Sequence, residues 1–351
     1  MVLATESMGT IAGRSTRRGG WRRLGARRFR YEDARGRAIT DDAALERIDS
    51  LRIPPAWKDV WISPRAGAKL QATGVDKAGR RQYLYHPEYR ARQEQAKFDK
   101  LVRFAERLPE LRQAMDKHLD QEPLTFEWTA AVAVRLINEG WFRVGGERYA
   151  KTHKTFGITT LRKGHVKVRG SRISFRFRAK HRVLCRTVLV DAELAEALKE
   201  LLAVPGGRRL FRYEYNGELV NLGARRLNDY IREYMGDEYT AKDFRTWGGT
   251  LVAAIELAER GEAETATEQK RTVAAVMRSV GERLGNTAAV ARSSYVSPAV
   301  VEQYLDGRTI DDFRPRHLRV VRARNAELDP EELALVSLLR SWRIRRTREA
   351  A

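Results

Sequence analysis

Leu284-Gly285-Asn286-Thr287-Ala288-Ala289-Val290-Ala291-Arg292-Ser293-Ser294-Tyr295-Val296-Ser297-Pro298 is the stretch around which the chain is organised. Upstream, Val273, Val276, Val280 and Leu284 recur at helical spacing, so a helix should run up to Gly285, a residue type that favours the left-handed closing position. A short amphipathic segment follows, and near its end Tyr295 stands among small polar residues. Small neighbours leave its phenol reachable by a bulky partner. Alone, this would be an ordinary half-buried tyrosine. The rest of the chain makes it a candidate nucleophile.

The chain has 351 residues, more than one typical domain, and 42% of them are hydrophobic, enough for real cores. Sixty-seven Lys and Arg face 46 Asp and Glu, a formal charge of +21. A surplus of that size points to a polyanionic partner, most often nucleic acid. No basic amphipathic helix with a bulky aromatic face supports a membrane surface instead, and no run of 18 apolar residues could span a bilayer. The N-terminus has no apolar core of a secretory signal. The single Cys185 allows no internal disulfide and no cysteine-built metal site, and neither metal-ligand spacing nor a Gly-rich phosphate loop is present. A cofactor-free protein of the cytoplasm, bound to the nucleoid, is the expectation.

Residues 1–20 are small, polar and Arg-rich, and are expected to be a disordered basic tail. Ile53-Pro54-Pro55-Ala56-Trp57 excludes regular helix or central strand. Strand-like runs follow at 60–62 and 70–75, then a turn at Asp76-Lys77-Ala78-Gly79, then Arg80-Arg81-Gln82-Tyr83-Leu84-Tyr85-His86. Alternation puts Tyr83 and Tyr85 on one face and Gln82 on the other. Aromatic and amide side chains between arginines suit a nucleic-acid-facing ribbon, although a small sheet with core tyrosines reads equally well. Residues 89–107 and 110–119 should be helical, as should the stripe Ala130, Val134, Ile137 and Trp141, which ends near Arg143 and Val144-Gly145-Gly146. Strand signals occupy 156–161, 165–177 and 183–190, with Ala179-Lys180-His181 as a hairpin tip. Thr240-Ala241-Lys242-Asp243 is a capping-box pattern, so Lys242 and Arg245 should share a face at a helix start that favours an anion. The expected class is α+β: a small N-terminal β-sheet domain (21–95), then a larger, mainly α-helical catalytic domain (96–310) carrying a three-stranded antiparallel sheet. A basic C-terminal extension (311–351) follows.

Arg143, Lys180, Lys242, Arg245, Asn286 and Tyr295 each sit at an end, a turn or a cap. Phosphodiester transfer needs this inventory. Guanidinium groups stabilise charge on the phosphoryl oxygens through paired hydrogen bonds. A lysine whose pKa is pushed down by two nearby arginines can protonate the leaving oxygen. A tyrosine attack stores the bond energy as a phosphotyrosine, so the strand can be resealed without a high-energy cofactor.

The words Arg81-Gln82-Tyr83-Leu84-Tyr85, Arg143-Val144-Gly145-Gly146-Glu147-Arg148-Tyr149, Lys180, Lys242-Asp243-Phe244-Arg245-Thr246 and Leu284-Gly285-Asn286-Thr287 with Tyr295 resemble, in order and context, the type IB DNA topoisomerases of the poxvirus and bacterial group. The likeness covers roughly residues 30–310. It implies Tyr295 as nucleophile, Arg143 and Arg245 on the scissile phosphate, Lys180 as general acid, and two domains clamped around duplex DNA. The reaction implied is a single-strand nick through a 3′-phosphotyrosyl intermediate, strand rotation and resealing, without ATP or metal, by a monomer. It also implies that Gln82, Tyr83, Tyr85 and Tyr149 contact DNA, and Arg81, Arg148 and Lys242 are grouped with them. One departure stands out: much of the family has histidine where this chain has Asn286, which can donate a hydrogen bond but cannot titrate. A tyrosine recombinase shares the Arg, Lys, Arg and Tyr, but it carries His-x-x-Arg in place of Lys242-Asp243-Phe244-Arg245 and lacks the 81–85 ribbon. A non-catalytic DNA-binding protein is the third reading. If Tyr295 were not the nucleophile, Tyr304 would be next.

Overall fold

A computed structural model describes residues 19–25, 28–314 and 327–349. The tail expected over 1–20 lies outside these, apart from Gly19 and Gly20, and so does 315–326 of the C-terminal extension. The chain divides into two compact units, 1–97 and 98–351. It is mixed α and β, with a sheet in each unit.

In the first unit, strands β1 (Trp21–Leu24), β2 (Arg30–Glu32), β3 (Lys58–Ile62), β4 (Leu70–Val75) and β5 (Arg81–Tyr85) form one antiparallel sheet in the order β2-β1-β3-β4-β5, with helix α1 (Asp42–Ser50) between β2 and β3. Ile62, Ala72 and Leu84 lie side by side across β3, β4 and β5 and meet Ile48, Trp57 and Val60 in a small core. The Pro54-Pro55 segment is irregular, as two missing donors require. Its carbonyls are gathered by Arg23, whose guanidinium donates to Pro54 O at 3.1 Å and Trp57 O at 2.6 Å. At the β4–β5 turn, Asp76 Oδ1 accepts from the amides of Ala78 and Arg80, both at 2.9 Å. The Arg80 amide, its guanidinium and Gln82 together hold the Asp76 carboxyl down at about 2.

Helix α2 (Pro87–Leu119) begins in the first unit and ends in the second. The stretches read as helical over 89–107 and 110–119 are one helix, which runs through Pro109. Leu101, Phe104, Ala105, Leu108, Leu111 and Met115 are buried on either side, and packing of that stripe outweighs the one backbone bond a proline removes. Helix α3 (Phe126–Gly140) is capped by Thr125 and buried from Trp128 to Ile137. After α4 (Glu147–Thr152) come β6 (Val166–Arg169), β7 (Arg172–Arg178) and β8 (Leu184–Val190), an antiparallel sheet in the order β6-β7-β8.

Two strand signals resolve differently from the sequence reading. The run 165–177 is a hairpin, folded at Gly170 in the left-handed region. Residues 156–161 are no strand but contain a short 3-10 turn, Ile158–Thr160. Its β-branched residues have strand propensity, but their backbone partners belong to a bend: Ile158 N donates to Arg143 O and Thr159 N to Val144 O, both at 2.8 Å. Gly157 permits this approach, since a Cβ there would lie 2.4 Å from Arg143 O.

The remaining elements are α5 (Ala192–Ala203), the hairpin β9 (Arg212–Tyr215) and β10 (Glu218–Asn221), α6 (Ala224–Met235), α7 (Ala241–Arg260), α8 (Ala266–Arg283), α9 (Ala288–Ser294), α10 (Pro298–Leu305) and α11 (Pro330–Glu349). The extension helix α11 is part of the core, with Ala334, Leu335, Val336, Leu338 and Leu339 buried. Its carboxylate Glu332, 3% exposed, takes Arg112 on both oxygens at 2.8 Å and accepts from Trp247 Nε1 at 3.1 Å. Its basic end is tied down too, by Arg340 to Glu106 and Arg345 to Asp306.

Candidate active site

Arg143 follows a helix that cannot continue. Trp141, the closing residue of α3, is left-handed (φ 48°, ψ 34°), and this turns the chain so that Arg143 leaves the helix axis on a bend pinned by Ile158 and Thr159. Helix α7 brings the second guanidinium. Its start is fixed by the expected capping box, Asp243 Oδ2 accepting from Thr240 N at 2.9 Å. Arg245 lies one turn further on and points inward, 5% exposed, while Lys242 on the same turn is exposed. Arg245 donates to Trp141 O and, at 2.7 Å, to Leu284 O.

The stretch 284–298 folds as the periodicity suggests. Helix α8 closes through left-handed Gly285 (φ 60°), and Asn286 N returns to Gly281 O at 2.7 Å. Thr287 caps α9, and Tyr295 sits at its C-terminal end. Asn286 Oδ1 accepts from Arg143 Nη2 at 2.7 Å, and its amide Nδ2 donates to Leu284 O at 3.3 Å. Arg143 is thus held through a neutral acceptor on the Asn286 side chain.

Arg245 lies over the Tyr295 ring, its guanidinium carbon 5.0 Å from the centroid. Burial would raise the Tyr295 phenol, but Arg245, Arg143 and Lys180 outweigh it and hold the phenol below its usual value. Arg143 is lowered to about 10, first by burial and then by Arg245. Arg245 is lowered chiefly by burial. Among the described residues no carboxylate pairs with either guanidinium; their partners are carbonyls, an amide and the Tyr295 phenol. One buried and one half-buried cation side by side, balanced only by neutral groups, form a site for an anion.

Lys180 is exposed in the β7–β8 turn, where the next two residues, His181 and Arg182, both take left-handed backbone conformations. Such a turn costs strain for residues with a Cβ, and it places the lysine on a short, tight bend. Its charge reaches Tyr295 from there.

Several contributors escaped the sequence reading. Gly248 and Gly249 lie inside α7, where each glycine costs about 1 kcal/mol relative to alanine. A Cβ on Gly248 would lie 2.2 Å from Trp141 Nε1, and one on Gly249 would lie 2.9 Å from Tyr295 O. A glycine pair in an otherwise strong helix was the available signal. Thr250 Oγ1 donates to Thr246 O at 2.8 Å and lies 3.1 Å from both Tyr295 O and Ser297 N, the latter donating to it. Beside the arginines is a cavity of about 160 Å³ lined by Phe142, Phe177, Cys185 and Leu284 among others. Burial pushes the Cys185 thiol up, against Thr187 and the two arginines.

The expected DNA contacts fall in two places. On α4, Arg148 and Tyr149 are exposed. In the first unit, Arg81 is exposed, and the Tyr83 and Tyr85 rings stack with centroids 6.3 Å apart. Gln82 is on the core side, 3% exposed, its Nε2 donating to Asp76 Oδ2 at 2.8 Å. Tyr304 is buried, and its hydroxyl donates to Gly261 O at 3.1 Å.

The sequence has counterparts among known proteins. The family model described as the catalytic core of eukaryotic DNA topoisomerase I matches residues 86–311, and that of the bacterial DNA topoisomerase IB N-terminal domain matches 28–76. The chain belongs to the type IB DNA topoisomerase family. It is 32% identical to the DNA topoisomerase 1B of Acanthamoeba polyphaga mimivirus over 284 residues, 79% of this chain and 84% of that one. The DNA topoisomerase 1B of vaccinia virus (strain Copenhagen) is 22% identical over 277 residues, 77% of this chain and 85% of that one. A solved XerH site-specific recombinase aligns over 57% of this chain and 50% of that one at 14% identity, with a TM-score of 0.37, too low to weigh. Family membership makes this chain an isomerase of DNA topology. No helix among the described residues is long and apolar enough to cross a membrane.

Proposed function

We propose that Tyr295 opens one strand of duplex DNA and stores the broken bond. Its phenolic oxygen attacks the phosphorus of a phosphodiester as the phenol proton leaves to water. The bond from phosphorus to Tyr295 forms, the bond from phosphorus to the 5′ oxygen breaks, and Lys180 protonates that oxygen. Arg143 and Arg245 neutralise the charge that develops on the two non-bridging oxygens. Asn286 holds Arg143 for this task. The enzyme is left with a 3′-phosphotyrosine, the free 5′ end turns to relieve supercoiling, and the same steps in reverse reseal the strand without ATP or metal.

One observation carries this reading: two neighbouring guanidinium groups without carboxylate partners, Arg143 half-buried and Arg245 buried directly over a phenol held below its usual pKa. In the first unit, Arg81, Tyr83 and Tyr85 offer an aromatic and basic strand to the duplex, as Arg148, Tyr149 and Lys242 do in the second. Gln82 joins them only if its amide leaves Asp76. We assign the working form as a monomer in the cytoplasm, on nucleoid DNA, with the catalytic domain over residues 96–310 and the clamp domain over 21–95.

The deciding experiment is relaxation of supercoiled plasmid lacking any specific site, in excess chelator, by the wild type and by Tyr295→Phe. The wild type should relax it and leave a denaturant-resistant protein–DNA adduct. The phenylalanine variant should bind DNA with about normal affinity and form no adduct. An adduct formed by that variant at the wild-type rate would move the nucleophile elsewhere.

A further inference from the structure

The three-stranded sheet buries one face against α3 and α5, through Val166, Ile173, Phe175 and Phe177. Its other face carries Lys167, Arg169, Arg172, Arg176, Arg178 and Arg186, all exposed. Their register is unusual. Arg176 lies directly opposite Arg186 and Arg169 opposite Arg172, while Lys167 faces Ser174. Like charges directly opposite on one sheet face are destabilising. Among the described residues no carboxylate pairs with any of the six. Elsewhere in the same unit arginines are neutralised: Arg135 by Asp191 and Glu193, Arg112 by Glu332, Arg345 by Asp306. A face that keeps six cations uncompensated within the fold is matched to a polyanion that comes from outside it.

Position narrows the partner. The face begins at the β7–β8 turn, which carries Lys180, and leads away from it along the seven residues of β7. At about 3.3 Å per residue that is about 20 Å of strand. This is about six steps of a DNA strand at roughly 3.4 Å each. On the reading above Lys180 protonates the departing 5′ oxygen, so whatever lies beyond Lys180 belongs to the segment that departs. Val188 and Val190, exposed at the β8 edge of the same face, are short enough not to hold a backbone off the arginines.

We propose that this sheet face tracks the duplex on the 5′-OH side of the cleavage point and brakes its rotation. This rests on the function proposed above. Phosphate contacts here are independent of sequence and break and re-form as the duplex turns, so they slow rotation without stopping it. Arg172, Arg176 and Lys167 then act on how many turns are released per nick, not on the nicking step.

The test compares wild type with the triple variant Lys167→Gln/Arg172→Gln/Arg176→Gln on duplexes that extend about two, six or twelve base pairs past the cleavage point on the 5′-OH side. Adduct formation on the shortest duplex should agree within about twofold, which also reports a folded active site. Wild-type affinity should rise with duplex length, and the variant's should stay nearly flat. On the longest duplex the slope of log affinity against log salt should be shallower in the variant by about two to three, about 0.9 per lost phosphate contact. In single-molecule relaxation the variant should release more turns per nick. Wild-type length dependence in the variant overturns the proposal. So does slow adduct formation by the variant on the shortest duplex, which would place these side chains in the chemical step. No adduct from the wild type on any duplex would instead remove the Tyr295 reading beneath it.

Discussion

Replacing Asn286 with aspartate changes the side chain by little more than one atom and puts a negative charge into a site that has only cations. Asn286 Oδ1 already lies 2.7 Å from Arg143 Nη2, so the variant places a carboxylate against a half-buried guanidinium that has no other anionic partner. Unit charges about 4 Å apart at an effective dielectric near 20 attract by about 4 kcal/mol. That matches the roughly 3–4 kcal/mol by which one preorganised donor stabilises charge developing in a transition state. The new carboxylate therefore competes for Arg143 with the phosphoryl oxygens on nearly equal terms. Single-turnover adduct formation should slow by about 10²–10³. Stability should move the other way, because Arg143 gains a counter-charge, and a gain of about 1 kcal/mol would raise Tm by about 2–4 °C. The pairing lowers the folded-state pKa of the carboxyl below its unfolded value near 4, so this added stability is present above that pH and lost as pH falls through the folded value. Asn286→Ala calibrates the comparison: it deletes one hydrogen bond without adding charge, and should cost about tenfold or less. If the aspartate variant cleaves as fast as the alanine variant, Asn286 does not orient Arg143 for the phosphate.

Lys180 and Arg245 should separate on a substrate with sulfur at the bridging 5′ position, since a thiolate leaves without a proton. Lys180→Ala should lose about 10²–10⁴ on the ordinary substrate and recover most of it with sulfur, while Arg245→Ala should not recover comparably; equal rescue of both refutes the division of labour. Glu332→Ala leaves Arg112 buried without its carboxylate and should destabilise the fold by about 3–5 kcal/mol in a denaturant melt, with Glu332→Gln milder because it can still accept from Trp247; a melt unchanged in both would make α11 dispensable. Partial burial and the nearby Glu332 push Asp329 up to about 6, above its unfolded value near 4. The folded state therefore holds the proton more tightly, so this group favours folding below about pH 4 and that contribution fades as pH rises through 6. Asp329→Asn should flatten the fall of Tm between pH 4 and 6, and an unchanged slope there would assign it to another group.

Most of the second unit could be read from one dimension because its signals are local. The stripe 273–284, the closing glycine at 285 and the box Thr240–Asp243 each depend on neighbours within a turn or two, and each appears where the spacing puts it. The residue types at 143, 180, 245, 286 and 295 were likewise enough to name the chemistry. Where a backbone finds its partner far along the chain, local pattern misleads. Ile158-Thr159-Thr160 carries strand-forming side chains yet braces the Arg143 bend, and the stretches read apart over 89–107 and 110–119 are one helix, α2, which packing carries through Pro109. Gln82 alternates out of phase with the tyrosines as expected, but only the fold shows that its amide is spent on Asp76.

The sequence by itself determined the inventory of the candidate site: two arginines, a lysine, an asparagine and a tyrosine, placed at ends and turns by helix periods and caps. Only the tertiary structure decided what those residues can do together. Lys242 and Arg245 share a helical turn, but one is exposed and the other is buried against the Tyr295 ring, a difference set by Trp141 and Leu284 from other elements. The Gly248–Gly249 pair and Thr250 bring α7 against Trp141 and Tyr295, contacts between residues more than 40 positions apart. The physical reason is the range of the forces. Caps and periods act within a turn, whereas burial of uncompensated charge and the pKa shifts that follow depend on which distant surfaces the fold closes over the same few ångströms.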